Sequence, residues 1–216
     1  FGDFFSKENF PFSRGKYLNV FNTKIWFQRL SFIGELGWEI YIPIKKTNNI
    51  FNKINKFGKK FNLTYAGMHT LDILRLEKKF LHWGHDITSE NNPFEAGLIF
   101  AVNFKKDTDF IGRKALERIR DIKPKKRLEL FSLKNNLMPG KPLLLHDEPI
   151  FYKGEVIGST TSSNYSFCYK KNICLAYVKG DLKNYEDLTL EVEGKKYALN
   201  HEKYALHDFQ SINLRN

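Results

Sequence analysis

Among the residues whose type and spacing could do chemistry, Glu39 stands out, in the stretch FIGELGWEIYIP at residues 32–43. At period two, the end of that stretch sets Trp38, Ile40 and Ile42 on one face of a strand and Gly37, Glu39 and Tyr41 on the other. A carboxylate between an indole and two isoleucines suits a strand poorly, and a covered one needs donors to stay charged. Those donors could come from an arginine, from backbone N–H groups, or from a ligand presenting two parallel N–H groups. The pattern therefore leads us to expect a covered Glu39 held by such a partner.

The other polar clusters carry less. His82 and His85 in HWGHD, with Asp86 following, could hold a metal or act as an acid–base pair; alternatively, the imidazoles and Asp86 satisfy the backbone of a tight loop. Without further ligands at useful spacing, no metal site and no catalytic residue is assigned. No Walker loop occurs, no G-x-G-x-x-G follows a strand, and no G-x-S-x-G elbow is present. Basic and aromatic residues mix in NYSFCYKK, where they could stack bases or pack a sheet face. Cys168 and Cys174 could form a disulfide or remain small hydrophobic thiols, and the second reading implies a reducing, cytoplasmic setting.

The elements that would position these residues can be read from periodicity. KYLNVF and KIWFQRLSFI form two strands around a turn at Asn22-Thr23, and GWEIYIP adds a third, stopped by Pro43. Ile50, Phe51, Ile54 and Phe57 recur at three- and four-residue steps, which predicts an amphipathic helix from Thr47 to about Phe61. A second helix, about Gly67 to Phe80, is apolar on both flanks and reads as central, though Asp72, Arg75 and Glu77 interrupt it. LHWGHDITSENNPFEAG is a polar connection to an expected strand LIFAVNF, and IGRKALERIR is a short helix. After KPKKR, short strands separated by Gly, Asn, Asp and Lys turns imply a small antiparallel barrel or sandwich. The expected division is 1–122 and 123–216.

The 216 residues suffice for one large or two smaller domains, and 42% hydrophobic and 15% aromatic content suits a globular chain. No run of about 18 apolar residues encodes a membrane span. The formal charge of +11 could attract a polyanion, but the lysines are scattered, often beside Asn, as on a solvated surface; nucleic acid is not the expected partner. The opening on Phe1 reads as a fragment of something longer.

FIGELGWEIYIP, GMHTLDILRLEKKFLHWGHDITSENNPFEAGLIFAVNF and DFIGRKAL, in that order, resemble the folate-binding aminomethyltransferase family, which includes the glycine cleavage T-protein and the carboxyl-terminal portions of dimethylglycine and sarcosine dehydrogenases. GELGWE and RLEKKFLHWGHD are closer to the dehydrogenase branch. The resemblance implies an α+β fold, the second half of the folate-binding core, followed by a small antiparallel β-barrel. It implies tetrahydrofolate as cofactor, with FAD only where a dehydrogenase domain lies upstream, and capture of a one-carbon unit from an amine or iminium donor. A pterin carries the required donor pair, a 2-amino group beside a ring N–H, and the resemblance puts Glu39 at the position that grips it. Phe32 falls where the T-protein has a stacking aromatic, and Phe80 matches another ring-lining aromatic. Leu71 takes the place of an arginine that helps fix the folate, which argues against a standard T-protein. The family's catalytic aspartate belongs to the amino-terminal half of the core. The expectation is therefore that this chain alone has little activity and needs that half, or a partner chain, beside the folate and amine. The alternative is a folate-binding module without transfer chemistry, as in relatives serving RNA modification or iron–sulfur assembly.

Overall fold

The computed structural model describes residues 2–135 and 138–215, which fall into two compact units, 2–78 with 207–215 and 79–206. The segment 79–122 is thus grouped with the barrel, while the barrel's own first strand begins at Lys126.

The first unit is built on an antiparallel meander of β1 (Gly15–Val20), β2 (Thr23–Gln28) and β3 (Glu39–Tyr41), with β2 in the middle. The β1–β2 turn is Phe21-Asn22, one residue earlier than expected; both have positive φ, +50° and +58°, as a two-residue hairpin of native twist requires. One sheet face is the core: Phe10, Ile25, Phe27 and Ile50 are buried, and Leu18, Val20, Trp38 and Ile42 pack against them. Trp38 meets Phe10 edge-on at 4.6 Å and Phe5 at 4.8 Å, the geometry that ring quadrupoles favour. α1 (Thr47–Gly58) adds Ile50 and Ile54 to this core, and a 3-10 turn, Lys59–Phe61, extends it to Asn62 at φ +55°.

α2 (Met68–Glu77) differs from its expected central placement. Met68 is 73% exposed, whereas Arg75, Leu76 and Glu77 in the last turn are buried. Asp72 meets the buried Arg75 guanidinium at 2.7 Å, so two of the three charges that interrupt the apolar pattern are paired along the helix. Lys78, 3% exposed, reaches the carboxylate of Asp208 at 3.0 Å, and the backbone N–H of His207 donates to the Glu77 carbonyl.

The second unit closes a six-stranded antiparallel barrel, in the order β4-β7-β6-β5-β8-β9. Its strands are β4 (Lys126–Leu133), β5 (Pro149–Tyr152), β6 (Glu155–Ser166), β7 (Lys171–Lys179), β8 (Leu188–Val192) and β9 (Lys195–Glu202). Phe131, Cys174, Ala176, Val178, Leu190 and Leu199 belong to its core. Cys168 and Cys174 form no disulfide, and burial lifts the Cys174 thiol to about 12. Before the barrel, IGRKALERIR forms α3 (Arg113–Ile119). The expected strand LIFAVNF is a 3-10 turn, Ile99–Ala101. Its backbone donors go to near neighbours, Leu98 N to Pro93 O, Ala101 N to Leu98 O and Val102 N to Ile99 O, which removes them from any ladder.

Candidate functional site

Register explains which side chains accompany Glu39. In β2–β3, Gln28 faces Glu39, Phe27 faces Ile40 and Trp26 faces Tyr41; in β1–β2, Gly15 faces Gln28 and Tyr17 faces Trp26. Residues opposite one another in antiparallel strands share a face. Two rows therefore cross the face away from the core: Gly15, Gln28 and Glu39, then Tyr17, Trp26 and Tyr41. Gly15 is needed there, because a Cβ would lie 2.0 Å from the Trp26 ring, so the indole lies across β1. Tyr17 meets Trp26 edge-on at 4.9 Å, and Lys24 Nζ sits 4.5 Å from the Tyr17 ring centre.

The face assignment expected from alternation holds, since Trp38 and Ile42 pack on the core. The expectation that Glu39 is covered does not. All three β3 residues are exposed, because this short strand lies at the sheet edge and sends its apolar neighbours, rather than the carboxylate, inward. The Tyr41 hydroxyl donates to Glu39 Oε2 at 2.6 Å, and this bond together with the carboxylate's charge pushes the Tyr41 phenol above its usual 10.

The loop 29–38 leads into β3 and is tied by the other acid of the GELGWE motif. Glu35 Oε1 lies 2.5 Å from His207 Nε2, and Asn213 Nδ2 approaches the same oxygen at 3.4 Å. Gly34, at φ +82°, lies against the stem of Lys78, with no room for a Cβ. Glu35 therefore holds the loop that leads into β3, and it was not singled out from sequence. Phe32 lies half-buried in this loop and Leu71 half-buried on α2; Phe80 is half-buried in the second unit. Tyr41, Trp26 and Gln28 were not singled out from sequence, although period-two alternation placed Tyr41 on the Glu39 face.

In the His82–His85 loop, the backbone contact expected of Asp86 is present. Asp86, 1% exposed, accepts from the His82 backbone N–H at 2.8 Å, from Thr161 Oγ1 at 2.5 Å and from Ser162 Oγ at 2.7 Å. That stitches the loop to β6. The two imidazoles lie 4.6 Å apart, and no group of three or more His, Cys, Asp or Glu among the described residues could hold a metal.

Comparison with known proteins places this chain in a family. Residues 2–106 match the GCVT N-terminal domain and residues 126–206 the glycine cleavage T-protein C-terminal barrel domain. Dimethylglycine dehydrogenase, mitochondrial, of Mus musculus is 34% identical over 193 residues, which cover 89% of this chain and 22% of that protein. The aminomethyltransferase of Symbiobacterium thermophilum is 36% identical over 169 residues, 78% of this chain and 44% of that protein. The crystal structure of glycine cleavage system aminomethyltransferase T from Bartonella henselae superposes with a TM-score of 0.72 at 24% identity, covering 88% of this chain and 50% of that one. The chain belongs to the glycine cleavage T-protein family of aminomethyltransferases. It has the α+β fold with a closed barrel expected of that family, and it spans less than half the length of either of these two curated relatives.

Proposed function

We propose that this chain supplies the pterin-gripping wall of a tetrahydrofolate-dependent enzyme that transfers one-carbon units from an amine or iminium donor. Family membership supports the class, with relatives named as an aminomethyltransferase and as a dimethylglycine dehydrogenase. The observation that carries the reading is the Glu39–Tyr41 pair on the outer face of β3, beside Trp26 and Gln28. A carboxylate offers about four lone-pair sites. The Tyr41 hydroxyl takes one of them, so both oxygens can still receive the parallel N–H pair of a pterin edge. The neighbouring indole and phenol give flat surface for its ring.

Glu39 would hold tetrahydrofolate, which when bound would supply the nucleophile for the one-carbon unit. The chain's own task is positioning: Glu39 fixes the rotation of the ring in its plane, and Phe32 packs in the loop that sets β3. Leu71 carries no charge, so α2 contributes no cation to the folate at that position. An amine substrate and a further stretch of polypeptide complete the proposed site, and a flavin belongs to it only in a dehydrogenase-type arrangement. A reducing, cytoplasmic setting remains part of the proposal.

The test is titration of the full-length protein with tetrahydrofolate, followed by quenching of tryptophan fluorescence, for the parent and Glu39→Gln. The amide keeps one acceptor but turns an NH2 against the ligand's donors, so affinity falls on the order of tenfold. Equal affinity in the two proteins overturns the role of Glu39.

A further inference from the structure

In the second unit, independent of the proposed folate wall, a basin of about 600 Å³ lies beside Glu129, Tyr185 and His201. That volume is in the range of small-molecule sites, about 300 to 1,000 Å³. Its walls carry Arg127, Lys134, Lys183 and Lys203 against two carboxylates, Glu129 and Glu186.

One of those carboxylates is already committed. Glu129 Oε1 accepts from the Tyr185 hydroxyl at 3.1 Å, and Oε2 meets His201 Nε2 at 3.1 Å and Lys79 Nζ at 3.4 Å. Burial would raise the Glu129 carboxyl, but the His201 hydrogen bond and the Lys79 charge outweigh it and hold the group below its usual 4.5. Tyr185 and Phe131 pack on the His201 ring, at 4.2 Å and 5.6 Å between centres, which fixes the imidazole. Glu186 accepts from the Asn184 side chain. The three lysines of the basin enter no ion pair among the described residues. Their exposed side chains surround a half-buried floor of imidazole and phenol, so positive charge is concentrated in a concavity, where low-dielectric walls strengthen its field.

We propose that this basin binds a small oligoanion, a ligand with at least two closely spaced negative groups, held by the lysines and Arg127 and contacting His201 at the floor. An apolar ligand is disfavoured because binding it would strip water from four cations without replacing their partners. The negative groups could be phosphates or carboxylates, and the chemistry of recognition is the same.

The experiment is calorimetric titration of the chain at low salt with tripolyphosphate and, separately, with citrate. We expect one saturable site for at least one of the two, a saturable shift of the His201 ring resonances, and weakening as salt screens the charges. The better binder identifies phosphate or carboxylate as the recognised group. The double variant Lys183→Ala/Lys203→Ala changes only exposed side chains and should weaken binding on the order of tenfold or more. Lys45→Ala/Lys46→Ala removes the same charge from the first unit and should leave binding unchanged. Absence of saturable binding by both anions overturns the proposal, as does equal weakening in the two double variants, which would make the effect one of net charge.

Discussion

Asp86 gives the sharpest test of how the second unit is held together. Replacing it with alanine removes the acceptor of three donors, the His82 N–H at 2.8 Å and the hydroxyls of Thr161 and Ser162 at 2.5 and 2.7 Å, from a site 1% exposed. Thr161 has an alternative acceptor, the Leu175 carbonyl at 3.4 Å, so its loss is partly made up. The His82 N–H and the Ser162 hydroxyl are the donors most exposed to the loss. At about 1 to 3 kcal/mol for each buried group left unsatisfied, Asp86→Ala should cost roughly 3 to 5 kcal/mol. That is a large part of the roughly 5 to 15 kcal/mol that holds an ordinary domain folded. Asp86→Asn keeps Oδ1 for the two hydroxyls and turns its NH2 against the His82 N–H alone, so it should cost about 1 to 2 kcal/mol. Urea unfolding followed by circular dichroism reads this as a lower midpoint, with a slope unchanged if the loss lies in the native state. If both variants unfold within about 0.5 kcal/mol of the parent, the carboxylate does not fasten the loop to β6, and the packing of 82–87 on the barrel has another cause.

Two further outcomes follow from the barrel. A thiol reagent at neutral pH should modify the exposed Cys168 and spare Cys174 until unfolding, since Cys174 is fully buried and its thiol is lifted to about 12; equal labelling rates in the folded chain would contradict the core assignment. Tyr177 and Tyr185 are raised from the usual 10 to about 12, chiefly by burial, so the folded state keeps their protons longer than the unfolded chain does. Their contribution is complete below pH 10 and is lost as pH rises towards 12. Glu129 acts at the other end: depressed below 4.5, it contributes fully above that pH and the contribution is lost as pH falls through its folded value. Ultraviolet absorbance should show a late tyrosine step in the folded chain. Thermal stability should fall beyond both limits, and a single tyrosine step near 10 would contradict the first part.

How much was legible depends on how local the signal is. The barrel strands were readable because their turns carry residues of defined backbone conformation: Lys153-Gly154 and Glu193-Gly194 have positive φ at both positions and sit between alternating segments. Alternation likewise sorted Trp38 and Ile42 from Glu39 and Tyr41. It could not say whether the Glu39 face is covered, since a period of two assigns a side chain to a face and says nothing about what lies over that face. LIFAVNF reads as a strand by composition, yet Gly97 at φ +71° and the turn donors after Pro93 divert its backbone. Glu129, Tyr185 and His201 left no trace in the linear pattern, because closure of the barrel and its β7–β8 loop bring together residues 56 and 72 positions apart. Asp86 was half legible: HWGHD suggested a satisfied loop, but its partners on β6 lie 75 and 76 residues away.

The two units also differ in how they end their sheets. Because β4 and β9 pair, the barrel forms a continuous ring with no unpaired margin, whereas β1 and β3 each have one neighbour among the described residues. Chain-to-chain pairing by strand addition can therefore begin on the meander without any prior unfolding, while the barrel must first open. Clumping during storage should accordingly start in the amino-terminal unit and consume the surface that carries Glu39.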